Sequence, residues 1–197
     1  MRLWFPLLAV VLLNACSDAP VAKTPEKPPE PATGRQAFYQ TFPQAHTWSV
    51  DAQPLRVRSL ELSELPADHG KAAAWEVTYV SQSKGRSRVY TWSAVEAAGN
   101  LHKGVFASQD ESWRPGGSDK PFVIQALKTD TPDVLQTAIA HSETYFKNLG
   151  PKPHPKFVLE CTPRYPDPVW RVYWGDSVST AQWSVFVNAV TGQYQGR

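Results

Sequence analysis

From residue 131 onward, apolar side chains fall at the three-to-four-residue spacing of one helical face: Leu135, Ala138, Ile139, Phe146 and Leu149, with Ser142 in the same row. Thr131 offers a capping hydroxyl, Pro132 suits the first helical position, and Gly150-Pro151 ends the run, so a helix is predicted over 131–149. The rhythm then changes to period two. Strands are predicted over 156–162, 168–174 and 182–190. In the second of these, Trp170, Val172 and Trp174 alternate with Arg171 and Tyr173. In the third, Trp183, Val185, Val187 and Ala189 alternate with Ser184, Phe186 and Asn188, and Thr191-Gly192 closes the run.

The earlier half of the chain carries the same order. Thr33 precedes a shorter helical stretch holding Ala37, Phe38 and Phe42, with a stop expected near Pro43. Strands follow over 55–62, 74–81 and 88–97, the last ended by Gly99. Trp75-Glu76-Val77 matches Trp170-Arg171-Val172, Gly99 matches Gly192, and Thr33 matches Thr131. A helix followed by a curled antiparallel meander buries one sheet face under the helix. The expected class is α+β, with two similar lobes, each a helix packed on a curved antiparallel sheet of three to four strands. The lobes span 33–114 and 131–197. Residues 115–130, opening on Pro115-Gly116-Gly117-Ser118, form a turn-rich linker.

Neither rhythm applies at the start. Arg2 is followed by an unbroken apolar stretch from Leu7 to Leu13, too short to span a bilayer, and then by Asn14-Ala15-Cys16. Residues 1–15 read as a secretory signal. Leu13-x-Ala15-Cys16 resembles the lipobox of bacterial lipoproteins. That resemblance implies cleavage before Cys16 by signal peptidase II and acylation of the Cys16 thiol, often with a second acylation at its amine. Two or more acyl chains anchor durably where one is marginal. Ser17 after the cysteine resembles the outer-membrane sorting pattern, so the expected location is the periplasm-facing cell envelope, outer rather than inner membrane. Residues 16–32 are then the lipidated cysteine and a tether. Five prolines lie between Ser17 and Ala32 with no aromatic among them, a composition that stays extended and reaches roughly 50 Å.

Composition narrows the function classes. Aromatic residues make up 12% of the chain, enough for a packed core. With 20 Lys+Arg against 18 Asp+Glu, there is no basic excess of the kind nucleic-acid binders carry. No apolar run reaches the eighteen residues of a membrane-spanning helix. If Cys16 carries lipid, Cys161 is the one remaining thiol, and its alternation with Phe157 and Leu159 points it into a core.

The second half has a further likeness. Its helix, Trp170-x-Val172, and the closing Val185-Phe186-Val187-Asn188-Ala189-Val190-Thr191-Gly192 resemble the PepSY domain and, more loosely, the cystatin-like folds. Asn188 stands where the family usually has Asp. The first half ends in Glu96-Ala97-Ala98-Gly99 without the Thr-Gly and is a degenerate relative. The resemblance implies inhibition or protein binding rather than catalysis.

Candidate chemistry is sparse. Histidines 46, 69, 102, 141 and 154 show no zinc spacing, no nucleophile–base motif is visible, and no cofactor is implied. Lys84, Arg86 and Arg88 crowd a predicted hairpin around Gly85, with Arg56 and Arg58 on another strand of that half. They read either as a contact for an anionic surface or acidic partner, or as a solvated, edge-protecting tip. Trp113-Arg114 has the composition of an interface anchor, and packing between the halves accounts for it equally. Three functions stay open: a lipid-anchored protein-binding module acting as inhibitor or assembly factor, a periplasmic carrier of a small or lipidic ligand in a cleft between helix and sheet, and an immunity-type protein against a periplasmic toxin.

Overall fold

The computed structural model describes residues 28–147 and 154–197, so the signal, Cys16 and most of the tether lie outside the described residues. Helix α1 (Gly34–Trp48) leads into strands β1 (Gln53–Leu60), β2 (Ala74–Ser81), β3 (Arg86–Ser93), β4 (Gly104–Ala107) and the two-residue β5 (Glu111–Ser112). A 3₁₀ turn at Ile124–Ala126 precedes α2 (Thr131–Ala140) and the single turn α3 (Glu143–Phe146). Strands β6 (Lys156–Glu160), β7 (Val169–Trp174), β8 (Trp183–Asn188) and β9 (Tyr194–Gly196) complete the chain. The fold is α+β. Its strands form one antiparallel sheet in the order β4-β3-β2-β1-β6-β7-β8-β9, with β5 added to β3.

Period-two alternation sorts the sheet into two faces. Trp75, Val77 and Tyr79 on β2 and Trp170, Val172 and Trp174 on β7 point inward and are buried, with α1 and α2 packed over them. Fully burying each such side chain contributes roughly 1.5–3 kcal/mol. The two meanders meet edge to edge, where Arg56, Val57 and Arg58 of β1 face Glu160, Leu159 and Val158 of β6. One sheet and one core cluster therefore span both halves. Cys161 is buried in that cluster, and burial pushes its thiol above the usual value.

The two helices start at the same place, over the middle of the sheet. Trp75 donates its indole N–H to the carbonyl of Ala32 at 2.9 Å, and Trp170 donates to that of Thr129 at 3.1 Å. Each acceptor immediately precedes the N-cap of its own half's helix, Thr33 for α1 and Asp130 for α2. The caps then interlock. Thr33 Oγ1 donates to Asp130 Oδ2 at 2.7 Å, the Arg35 amide donates to Asp130 Oδ1, and the Gly34 amide donates to Thr131 Oγ1. Both helix N-termini thus share one carboxylate, which suits the partial positive charge at each.

Three expectations need correcting. Helix α1 does not stop near Pro43 but runs through it to Trp48. The carbonyl that Pro43 leaves without a helical donor belongs to Tyr39, on the exposed side of the helix. The second helix is capped by Asp130, one residue before Thr131. It also breaks at His141, short of the predicted 149. Ser142 is fully buried there, donating to the Ala138 carbonyl at 2.6 Å and accepting the Trp183 indole N–H at 3.0 Å. That back-bonded serine diverts the chain into α3.

Residues 115–130 are bound into both halves. The Phe122 amide donates to the Pro54 carbonyl, while the Lys128 and Thr129 amides share the Ala189 carbonyl. Phe122 and Leu127 are buried in the common core.

Candidate functional site

The β2–β3 hairpin turns on Gly85, whose φ of 61° lies in the left-handed region that glycine tolerates best. Asp51, in the connection from α1 to β1, fixes the turn from beneath. Its carboxylate accepts from Ser81 Oγ, Ser49 Oγ and the Ser83 amide, and these donors hold it well below the usual carboxylate range. Strand β5 pairs with Arg86 and Ser87, and the next amide, that of Trp113, donates to the Gly85 carbonyl at 3.0 Å.

This pairing brings together residues far apart in sequence. Lys84, Arg86, Trp113 and Arg114 all lie at the hairpin tip. Lys84, Arg86 and Arg114 are exposed, and none has an ion-pair partner among the described residues; Arg86 reaches only Ser112 Oγ, at 3.5 Å. Trp113 is half-buried. Arg88 stands apart. It lies over the Trp48 ring at 5.2 Å and is paired with Asp110, which also accepts the Trp48 indole N–H. That clamp joins the end of α1 to β3 and leaves Arg88 as a structural cation. Arg56 and Arg58 lie in the middle of the sheet opposite Thr78 and Glu76, well away from the tip. Arg56 is held by Asp119 and Glu160, and Arg58 by Glu76.

The histidines remain dispersed. His141 stacks on Tyr194 with ring centroids 3.9 Å apart, His102 contacts Glu96, and His69 contacts Asp68 in an exposed loop. Among the described residues, no three His, Cys, Asp or Glu side chains converge as metal ligands would.

A concavity lies on the face of the sheet opposite the helices. This cleft of about 470 Å³ is lined by outward-pointing residues of β1, β6 and β7, with the loop after β7 forming its rim. Sequence reading missed it. Alternation marks Arg58, Val158, Arg171 and Tyr173 as one outward face only once β6 is known to lie between β1 and β7.

Searches against protein-family models, curated proteins and solved structures find no match to this chain.

Proposed function

We propose that the chain is a lipid-anchored cell-envelope protein that acts by binding a protein partner, as an inhibitor or an assembly factor. Cys16 carries the anchor, and the Pro-rich segment after it lets the folded part stand off from the lipid surface. The partner docks on the hairpin tip. One observation carries this reading: the β3–β5 pairing brings Lys84, Arg86, Trp113 and Arg114 to one hairpin tip, a half-buried aromatic residue beside exposed cations of which Lys84 also feels the Asp110 carboxylate. Aromatic and arginine side chains dominate binding energy at interfaces, while the charges steer an acidic partner inward.

The folded part is read as two PepSY-like lobes that share one sheet. Supporting this are the repeated helix-then-meander order and the paired indole bonds of Trp75 and Trp170 to the residues preceding each N-cap.

Crosslinking of the full-length protein in its own cells, with mass spectrometry of what is captured, tests the reading. A single partner near equal stoichiometry is expected, with capture reduced at least tenfold by R86S combined with W113A. Capture unchanged in that variant overturns the tip as the docking site. The anchor is tested separately by Cys16→Ser, which should abolish acyl labelling and membrane retention.

A further inference from the structure

The cleft on the helix-free face of the sheet is lined by three arginines, Arg56, Arg58 and Arg171, and two carboxylates, Glu160 and Asp176. Arg58, Val158 and Arg171 stand side by side on β1, β6 and β7, so the two arginines flank Val158 with Cα atoms about 10 Å apart. Arg171 is half-buried, yet its partners are neutral. Its Nε donates to Ser184 Oγ at 3.0 Å, its Nη2 donates to the Val178 carbonyl at 2.8 Å, and its guanidinium lies over the Phe186 ring at 5.5 Å. Nη1 has no acceptor, and no carboxylate is paired with Arg171 among the described residues. No buried side-chain polar atom among the described residues lacks a partner, so the free Nη1 opens on the solvent of the cleft, where an incoming anion can reach it.

Tyr173 makes the second half of the case. It lines the same cleft at 4% exposure, and its hydroxyl has no hydrogen-bond partner among the described residues. Burial pushes that phenol above its usual value, with Lys156, Arg58 and Arg171 pulling it down and the Glu61 carboxylate adding to the rise. The carboxylates nearby are otherwise engaged or peripheral. Glu160 is held by Arg56, Glu76 by Arg58, Glu61 by Lys156, and Asp176 is exposed at the rim. The rim loop is tied down by the same cations, Arg171 at the Val178 carbonyl and Lys156 at the Asp176 carbonyl.

We infer that this cleft binds a small organic oxyanion, a carboxylate or phosphate ester, whose oxygens take the free Arg171 Nη1 and the Tyr173 hydroxyl and whose apolar body rests on Val158. Its volume suits an organic ligand rather than a bare inorganic ion. The site lies apart from the hairpin tip and stands or falls independently of the partner reading.

The test titrates the full-length protein in detergent with sodium benzoate, phenyl phosphate and inorganic phosphate, each against sodium chloride at matched ionic strength. A ligand that binds only the folded state raises the thermal midpoint in a saturable way. Benzoate or phenyl phosphate should do so, and the preferred one names the charged group. Y173F, which keeps the ring and its packing, and R171Q should each raise the half-saturating concentration about tenfold, while R86S at the hairpin tip leaves it unchanged. Y173F keeps the test decisive should R171Q fold poorly. The proposal is overturned if neither organic probe saturates, if inorganic phosphate binds as well as phenyl phosphate, or if Y173F binds like the unaltered protein.

Discussion

Gly34 is the first residue of α1, and helix propensity alone says that alanine there stabilises the protein, by up to about 1 kcal/mol. Packing says the opposite. A methyl group at Gly34 would sit 2.6 Å from Trp170 Cη2, 3.0 Å from Thr131 Cγ2 and 3.2 Å from Trp75 Cη2. None of these neighbours can swing aside. Trp75, Trp170 and Thr131 are fully buried, both indoles are pinned by their N–H bonds, and Thr131 Oγ1 holds the Gly34 amide itself. Overpacking of this kind costs about 1–3 kcal/mol. After the propensity gain, Gly34→Ala should still lower stability, by up to about 2 kcal/mol, and Gly34→Val by more. For a domain of this size that is a fall of up to roughly 8 °C in Tm. Thermal and urea unfolding followed by tryptophan fluorescence measures it. Trp170→Phe removes the Cη2 atom, so the double variant G34A/W170F should lose less than the two single losses combined. A G34A midpoint equal to or above that of the unaltered protein refutes the claim that the helix starts are locked together over the two tryptophans.

Two further outcomes follow, one from the helix caps and one from the hydrogen bonds beneath the hairpin. Asp130→Ala removes the cap of α2 together with the acceptor for Thr33 Oγ1 and the Arg35 amide, and should cost about 2–4 kcal/mol; amide exchange should speed up at Arg35 and in the first turn of α2 alike. Asp51 has a depressed folded-state pKa, so its contribution is complete above the unfolded value of about 3.9 and is lost as pH falls below it towards the folded value. Asp51→Asn should therefore lower stability by about 1–3 kcal/mol at pH 7 and flatten the loss of stability of the unaltered protein below about pH 4, as read from urea midpoints across that range.

Local signals carried the strands and not their neighbours. Period-two alternation located β2 at its observed bounds, and β6, β7 and β8 within two residues, because each points one row of apolar side chains into the common core. The short strands β4, β5 and β9 lie at the ends and edge of the sheet and are largely exposed, so no buried face imposed a pattern on them. At the hairpin tip the charges were legible as a cluster and Trp113 as an isolated anchor. Their meeting was not, since it depends on a two-residue strand, Glu111–Ser112, docking on Arg86 and Ser87.

The deeper gap is the pairing of β1 with β6, and it decides what the outer surface can do. Neither strand differs in composition from one at the edge of a separate lobe, and strands about a hundred residues apart leave no local trace of their contact. Two independent lobes would leave Arg58 and Arg171 on different bodies, each a solvated charge. Joined through β6, they face one another across Val158, in a cleft that Tyr173 also lines. The same junction brings the helix starts together on the opposite face, where Asp130 serves both N-termini and Gly34 has room only for hydrogen. A variant that loosens that lock should therefore also weaken anion binding on the far side of the sheet. G34A offers the measurement: its half-saturating concentration for the preferred organic anion, benzoate or phenyl phosphate, should rise along with the fall in Tm. A cleft that binds equally well in G34A would mean that the β1–β6 register is held by the sheet alone, without help from the helix caps.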